Sequence, residues 1–230
     1  MTTFPASSAS EDLIERVSAN LDEVHRRIAS SGKDPASVRI VAVTKTFGID
    51  EVRAAYSLGL RDFGENYVDE LCAKRATFAE TDVTWHFLGA LQTNKIARAL
   101  GCAEVLSGVS RGKELDKIAA VKAGATIDVQ VDFTGAAERN GALPEEVEGL
   151  VERARELNLN VRGLMVVAPP GEARTRAAFA ETAALANQLG LKERSMGMSE
   201  DLEIALEQGT TELRLGRAIF GPRQPLGALA

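Results

Sequence analysis

The sequence predicts a (β/α)8 barrel, and three observations carry that expectation. Strand-like and helix-like segments alternate along nearly the whole chain. Alternation of this kind means parallel strands joined by helical crossovers, and eight repeats favour closure over an open sheet. The first strand is a continuous apolar run, Ile40 to Val43, as expected where both faces are covered. The chain has 230 residues with 45% hydrophobic content, which suits a barrel with little added to it.

Each element has its own justification. Residues 1–10 are small and polar and read as a flexible tail, leaving 11–230 as one barrel domain. From Glu11 to Ser31, Leu13, Val17, Leu21, Val24 and Ile28 recur every three or four positions. That is an extra N-terminal amphipathic helix, stopped by Gly32 and Pro35, placed to cover an end or flank. The first strand follows at 38–44. Strand-like segments then fall near 60–64, 83–88, 103–107, 126–131, 161–167, 193–196 and 211–215. The segment near 193 is the shortest and most polar. Helical patterns lie between them: 50–58, 66–79, 92–100, 111–123, 144–157, 173–189 and 199–208.

Composition narrows the function. A net charge of −6 argues against a nucleic-acid footprint. No apolar run approaches membrane-spanning length. Two histidines, His25 and His86, argue against a histidine-rich metal site, and no metal is expected. Two cysteines, Cys72 and Cys102, form no Cys-x-x-Cys pair and no disulfide framework, which suits a reducing cytoplasm.

In a barrel of this kind the chemistry sits on the loops after the strands. Lys45 stands where the first strand ends. One reading is a lysine that keeps its stem on the core and its head in water. The other is an amine held at the barrel mouth to attack a carbonyl. After the seventh and eighth strands come Ser195-Met196-Gly197-Met198-Ser199 and Arg214-Leu215-Gly216-Arg217, which suit a phosphate. Glu200 and Asp201 would repel an anion at the start of the 199–208 helix, so the amides around Gly216 and Arg217 carry more weight. Ser199 reads equally as a helix N-cap. Asn66 reads as a ligand contact, a helix N-cap, or both. His86 alternates with Trp85 and Phe87, so it fits a general base or an inward-pointing core histidine. Gly89 to Lys95 lacks the second glycine of a nucleotide P-loop. A lysine facing a phosphate cradle leaves two chemistries open. One is a Schiff-base aldolase acting on a sugar phosphate. The other is a lysine linked to pyridoxal 5′-phosphate (PLP).

Six segments, in order across 38–221, resemble the YggS/PROSC family of PLP-binding, PLP-homeostasis proteins. They are Ala42-Val43-Thr44-Lys45-Thr46, Phe63-Gly64-Glu65-Asn66-Tyr67-Val68, Trp85-His86-Phe87-Leu88-Gly89-x-Leu91-Gln92-x-Asn94-Lys95, Arg162-Gly163-Leu164-Met165, Ser195-Met196-Gly197-Met198-Ser199-x-Asp201 and Arg214-Leu215-Gly216-x-Ala218-Ile219-Phe220-Gly221. The resemblance implies a barrel like the N-terminal domain of alanine racemase, with PLP held as an imine on Lys45. It implies a phosphate near Ser195, Ser199 and Gly216, and Arg214 at the pyridine nitrogen. Asn66, His86, Met198 and Arg217 complete the expected cofactor-binding set. It further implies a monomer with a part in vitamin B6 balance and no established turnover, and makes PLP-requiring apo-enzymes candidate recipients. Three features depart from the family pattern: Arg217 stands where a small hydroxyl residue is usual, Arg139 replaces a lysine, and Ser107-Gly108-Val109 is atypical.

The residue chemistry agrees with a carrier. A strong PLP electron sink needs a protonated pyridine nitrogen, and a guanidinium only donates. Arg214 would therefore leave that nitrogen unprotonated. Only nine residues follow Gly221, so no second domain is expected to supply a further base. The alternative is a PLP-dependent racemase-like enzyme using Lys45 as its base.

Overall fold

The computed structural model describes residues 9–78 and 80–222. Most of the expected tail, residues 1–8, lies outside the described residues. Its last two belong to the fold. Ala9 is buried, and the Ser10 hydroxyl accepts from the N–H of Leu13, capping α1 (Glu11–Ser30).

Helix α1 buries Leu13, Val17, Leu21, Val24 and Ile28, the stripe that its spacing predicts. It is followed by a 3-10 turn at Pro35–Ser37. The chain then alternates: β1 (Arg39–Val43), α2 (Ile49–Ser57), β2 (Asp62–Glu65), α3 (Val68–Thr77), β3 (Thr84–Phe87), α4 (Ile96–Cys102), β4 (Val105–Val109) and α5 (Gly112–Val121). It continues with β5 (Thr126–Val131), α6 (Pro144–Glu156), β6 (Asn160–Val166), α7 (Glu172–Gln188), β7 (Glu193–Ser195), α8 (Leu202–Glu207), β8 (Glu212–Leu215) and α9 (Arg217–Phe220).

Eight parallel strands among the described residues close in sequence order. β1 pairs with β2 through Ala42 and Phe63, and with β8 through Ile40 and Leu213. Helix α1 packs against α2, α8 and α9, on the flank where β8 meets β1. Asn20 Nδ2 donates to the Ile219 carbonyl at 2.8 Å, and Arg27 Nε donates to Glu203 at 2.6 Å. This family of barrels is the fold that the alternation predicts.

Three details differ from the expected boundaries. Helix α8 begins at Leu202 rather than at 199. Gly197 has a φ of 96°, and the Asp201 carboxylate accepts the Met198 N–H at 2.5 Å, which holds 198–201 in a turn. Helix α4 begins at Ile96 rather than at 92, because the Lys95 N–H is used in a turn onto the Gln92 carbonyl. Helix α9 spans four residues, too few to show a helical period.

Side-chain alternation sorts the strands into an inner and an outer face. Ile40, Ala42, Phe63 and Trp85 join the outer core beneath the helices. The lower inner face is ionic. Arg162 bonds Asp128 at 2.6 Å and Glu212 at 3.0 Å, Arg39 lies 3.4 Å from both Glu193 and Glu212, and Ser107 donates to Asp128. Burial alone would raise the Glu212 carboxyl, but His86, Arg162 and Arg214 with a Ser195 hydrogen bond hold it below the usual carboxylate range.

One sequence expectation is corrected. Cys72 on α3 and Cys102 at the end of α4 are joined in a disulfide, with Cα atoms 5.2 Å apart. They stand 30 residues apart, about one βα repeat, so neighbouring strands deliver their helices side by side. Local cysteine spacing cannot register that pairing, and the cysteines no longer argue for a reducing compartment.

Candidate ligand pocket at the barrel mouth

A cavity of about 440 Å³ opens where β1, β6 and β8 end. Small-molecule sites are roughly 300–1,000 Å³. β1 supplies two of its residues by parity. Val43 points inward, Thr44 points outward onto Glu65, and Lys45 points inward again at the rim, half-buried. The chain then turns away through Thr46, whose φ of 68° is rare for a β-branched residue.

Arg214 enters from β8 and is 5% exposed. Its Nη1 donates to the Ser195 carbonyl at 2.5 Å and to the Ser195 hydroxyl at 2.8 Å, and its Nη2 donates to the Val166 carbonyl at 2.7 Å. Burial lowers this guanidinium from its ordinary value, partly offset by Glu212. The bonds fix its plane at the base of the pocket.

Gly216 follows Arg214 by two and also lines the pocket. A Cβ there would stand 3.1 Å from the Val43 carbonyl, so β1 and the loop after β8 approach backbone to backbone. The Ser199 hydroxyl accepts the Ala218 N–H at 3.0 Å. Ser199 therefore satisfies an amide at the start of α9 and is no cap for α8. Arg217 Nη2 bonds Glu200 at 2.6 Å, so the added cation is already paired with a carboxylate at the rim.

Seven of the nine residues proposed from sequence line this one cavity: Lys45, Asn66, Met198, Ser199, Arg214, Gly216 and Arg217. Asn66 is not a helix cap, since Tyr67 holds that position for α3. His86 and Ser195 do not line the cavity. Ser195 is fully buried beneath it and orients Arg214. His86 is buried in the ionic floor with Nε2 2.9 Å from Asp62 Oδ1, the inward-pointing core position. Its Nδ1 has no partner among the described residues.

Sequence reasoning did not assign Val43, Leu88, Met165, Val167, Glu200 or Asp201 to the wall. Strand parity from Lys45 would have found Val43. Met165 was hidden by an irregularity between β5 and β6, where Ile127 pairs with Val161 but Asp128 pairs with Gly163. That skip lets both Arg162 and Met165 face inward. Among the described residues no group of three or more His, Cys, Asp or Glu is placed to hold a metal ion, and no helix is long and apolar enough to cross a membrane.

The arrangement suits a small anionic compound carrying a carbonyl. It offers an amine on one wall, a fixed donor on another, and close-approaching backbone at Gly216.

Comparison with known proteins agrees. Residues 14–224 match the family model for the alanine racemase N-terminal domain. The pyridoxal phosphate homeostasis protein of Pseudomonas aeruginosa is 37% identical over 219 residues, covering 91% of this chain and 94% of that protein. That of Deinococcus radiodurans is 37% identical over 209 residues, covering 89% and 99%. PipY of Synechococcus elongatus PCC7942, solved with PLP bound, is 33% identical, covers 86% of this chain and 100% of that chain, and superposes with a TM-score of 0.74. Alanine racemase of Clostridium difficile 630 is 14% identical with a TM-score of 0.73, covering 92% of this chain and 57% of that one, a likeness of fold alone. With that match over nearly all of its length, the chain belongs to the YggS/PROSC family, within the alanine racemase N-terminal-domain group.

Proposed function

We propose that this chain binds PLP in the barrel-mouth pocket, attached as an imine to Lys45, and acts in PLP homeostasis as a carrier or buffer rather than as an enzyme. The observation that carries the reading is that Lys45 and Arg214 line one cavity of about 440 Å³.

The residues present fit the group. Lys45 supplies the amine for a covalent link to an aldehyde. Arg214 supplies only N–H donors, so it suits an unprotonated pyridine nitrogen. Gly216 and Ser199 would hold the phosphate, and Asn66 and Met198 would border the ring. Bound PLP supplies an electrophilic aldehyde and a conjugated ring. Beneath the pocket, Ser195 keeps Arg214 aimed.

Two features favour a carrier. The donor at the ring nitrogen weakens carbanion stabilisation. Among the described residues, those lining the pocket include no tyrosine or histidine to serve as a second base. The carboxylates at the rim are engaged, Glu200 with Arg217 and Asp201 with the Met198 amide. A monomer working in the cytoplasm, with PLP-requiring apo-enzymes as recipients, completes this reading.

The test is the absorbance spectrum of the protein loaded with PLP and then freed of unbound PLP, before and after borohydride, beside Lys45→Ala. The expected result is a visible band that shifts on reduction, with added mass on the Lys45 peptide, and neither in the variant. A protein that is colourless after loading and removal of unbound PLP would overturn the reading. Lys45-dependent racemisation across a panel of L-amino acids would favour the racemase-like alternative.

A further inference from the structure

The two peptide groups that flank Lys45 are both held by α3. The Thr44 carbonyl accepts from Lys74 Nζ at 2.6 Å. The Thr46 N–H donates to Glu70 Oε1 at 2.7 Å. Glu70 and Lys74 lie one helical turn apart and bond each other through the same Oε1 at 2.8 Å. Lys74 places its remaining donor on Glu65 Oε1 at 2.6 Å, and the Thr44 hydroxyl donates to that oxygen at 2.5 Å. All three N–H groups of the ammonium are thereby used.

This network lies outside the pocket, between the barrel and its helix layer. Lys74 is 7% exposed and Glu65 is fully buried. A buried ion pair is a poor device for stability, since apolar residues of similar volume serve at least as well. Here it is also imperfect: Glu65 Oε2 has no partner among the described residues. What the ion pair does provide is aim. The planes on either side of residue 45 set its φ and ψ, and so the direction of its Cβ. Thr46 in turn holds a conformation that a β-branched residue avoids unless its surroundings impose it. A turn from the Thr44 carbonyl to the Phe47 N–H at 3.0 Å requires that conformation, and the Glu70 bond to the Thr46 N–H holds it directly after Lys45.

We propose that Glu70 and Lys74 are positioning residues for Lys45, touching no ligand but fixing the approach of its amine to the carbonyl it captures. The proposal rests on the reading of Lys45 as the PLP attachment point, and deepens it.

The test uses the full chain with PLP as the probe. Wild type is compared with Glu70→Ala, Glu70→Gln and Lys74→Met for PLP affinity and for the pH midpoint of the visible band. Misplacing a reacting group by about 1 Å loses up to ~10²-fold, so Glu70→Ala and Lys74→Met are expected to bind about tenfold or more weakly, with a shifted midpoint. Glu70→Gln keeps an acceptor for the Thr46 N–H and is expected to stay near wild type. In a Lys45→Ala background, Glu70→Ala is expected to change residual non-covalent PLP binding little, because its effect runs through Lys45.

Unchanged affinity and midpoint in Glu70→Ala, with only the melting temperature lowered, would overturn the proposal. So would an equal loss in the Lys45→Ala background, which would place the effect on the pocket at large. Should Lys74→Met fail to fold, Glu70→Ala still decides, since Glu70 is partly exposed and alanine suits a helix. A wild-type protein with no borohydride-reducible link at Lys45 would overturn the PLP reading and this proposal together. Failure of the proposal alone appears only in the variants.

Discussion

The carbonyl oxygen of Asn66 occupies the space that a side chain at Gly89 would need: a Cβ on Gly89 would stand 2.1 Å from it. The relation repeats one strand further on, where a Cβ on Gly108 would stand 2.3 Å from the Gly89 carbonyl. The segments that close β2, β3 and β4 therefore meet backbone to backbone, and Asn66 is held at the pocket wall by the absence of a methyl group. Gly89→Ala is expected to lower stability by about 1–3 kcal/mol, the usual range for overpacking a tight site. It is also expected to weaken PLP binding, read by urea denaturation and PLP titration. Gly101→Ala is the control. Its Cβ would meet nothing within 4 Å, and a gain of about 0.5–1 kcal/mol is expected in a helix.

Arg214 serves the fold as well as the pocket. Lysine at this position cannot reproduce a planar fork that reaches Ser195 and Val166 together. Each buried carbonyl left without a donor costs about 1–3 kcal/mol, so Arg214→Lys is expected to lose about 2–4 kcal/mol in urea denaturation. A variant of wild-type stability would show that lysine reaches both acceptors.

The Cys72–Cys102 bridge closes a loop of 30 residues. Chain-entropy reasoning for a loop of that length gives a stabilisation of about 3–4 kcal/mol. Adding a thiol reductant is expected to lower the urea midpoint of the wild type to that of the Cys72→Ser/Cys102→Ser double variant, which itself should not respond to reductant.

Glu65 makes acid favourable to this fold. Burial raises its carboxyl above the ordinary value, and Lys74 and Thr44 reverse that only in part. The folded protein therefore binds a proton at Glu65 more readily than the unfolded chain does. This contribution is fully present below the unfolded pKa and is lost as pH rises through the folded one. The stability of wild type relative to Glu65→Gln is expected to increase as pH falls from neutrality towards the ordinary glutamate value, measured as the difference in unfolding free energy. A difference that stays flat or shrinks over that range would contradict this assignment.

Local patterns carried much of this molecule. The stripe on α1 and the apolar run of β1 are short-range consequences of period, and helix or strand follows from them directly. Eight repeats imply closure because a parallel strand needs a crossover and a closed sheet has no edge. Closure brings the ends of β1 and β8 together, so Lys45 and Arg214, 169 positions apart in the chain, were legible as neighbours before any coordinates.

The remaining features depended on what faces what across layers. His86 reads equally as base or core residue in the sequence, and only the register of β3 on β2 seats it against Asp62. Ser195 lies within a phosphate-like motif, yet strand parity buries it under Arg214. Cys72 and Cys102 meet because two helices from adjacent strands lie side by side. Residues 44–46 show the same division. That the strand ends in a lysine is written in the sequence. That its amine is aimed by Glu70 and Lys74 is decided by the tertiary structure, because hydrogen bonds from α3 to the two flanking peptides form only once helix and barrel are packed together.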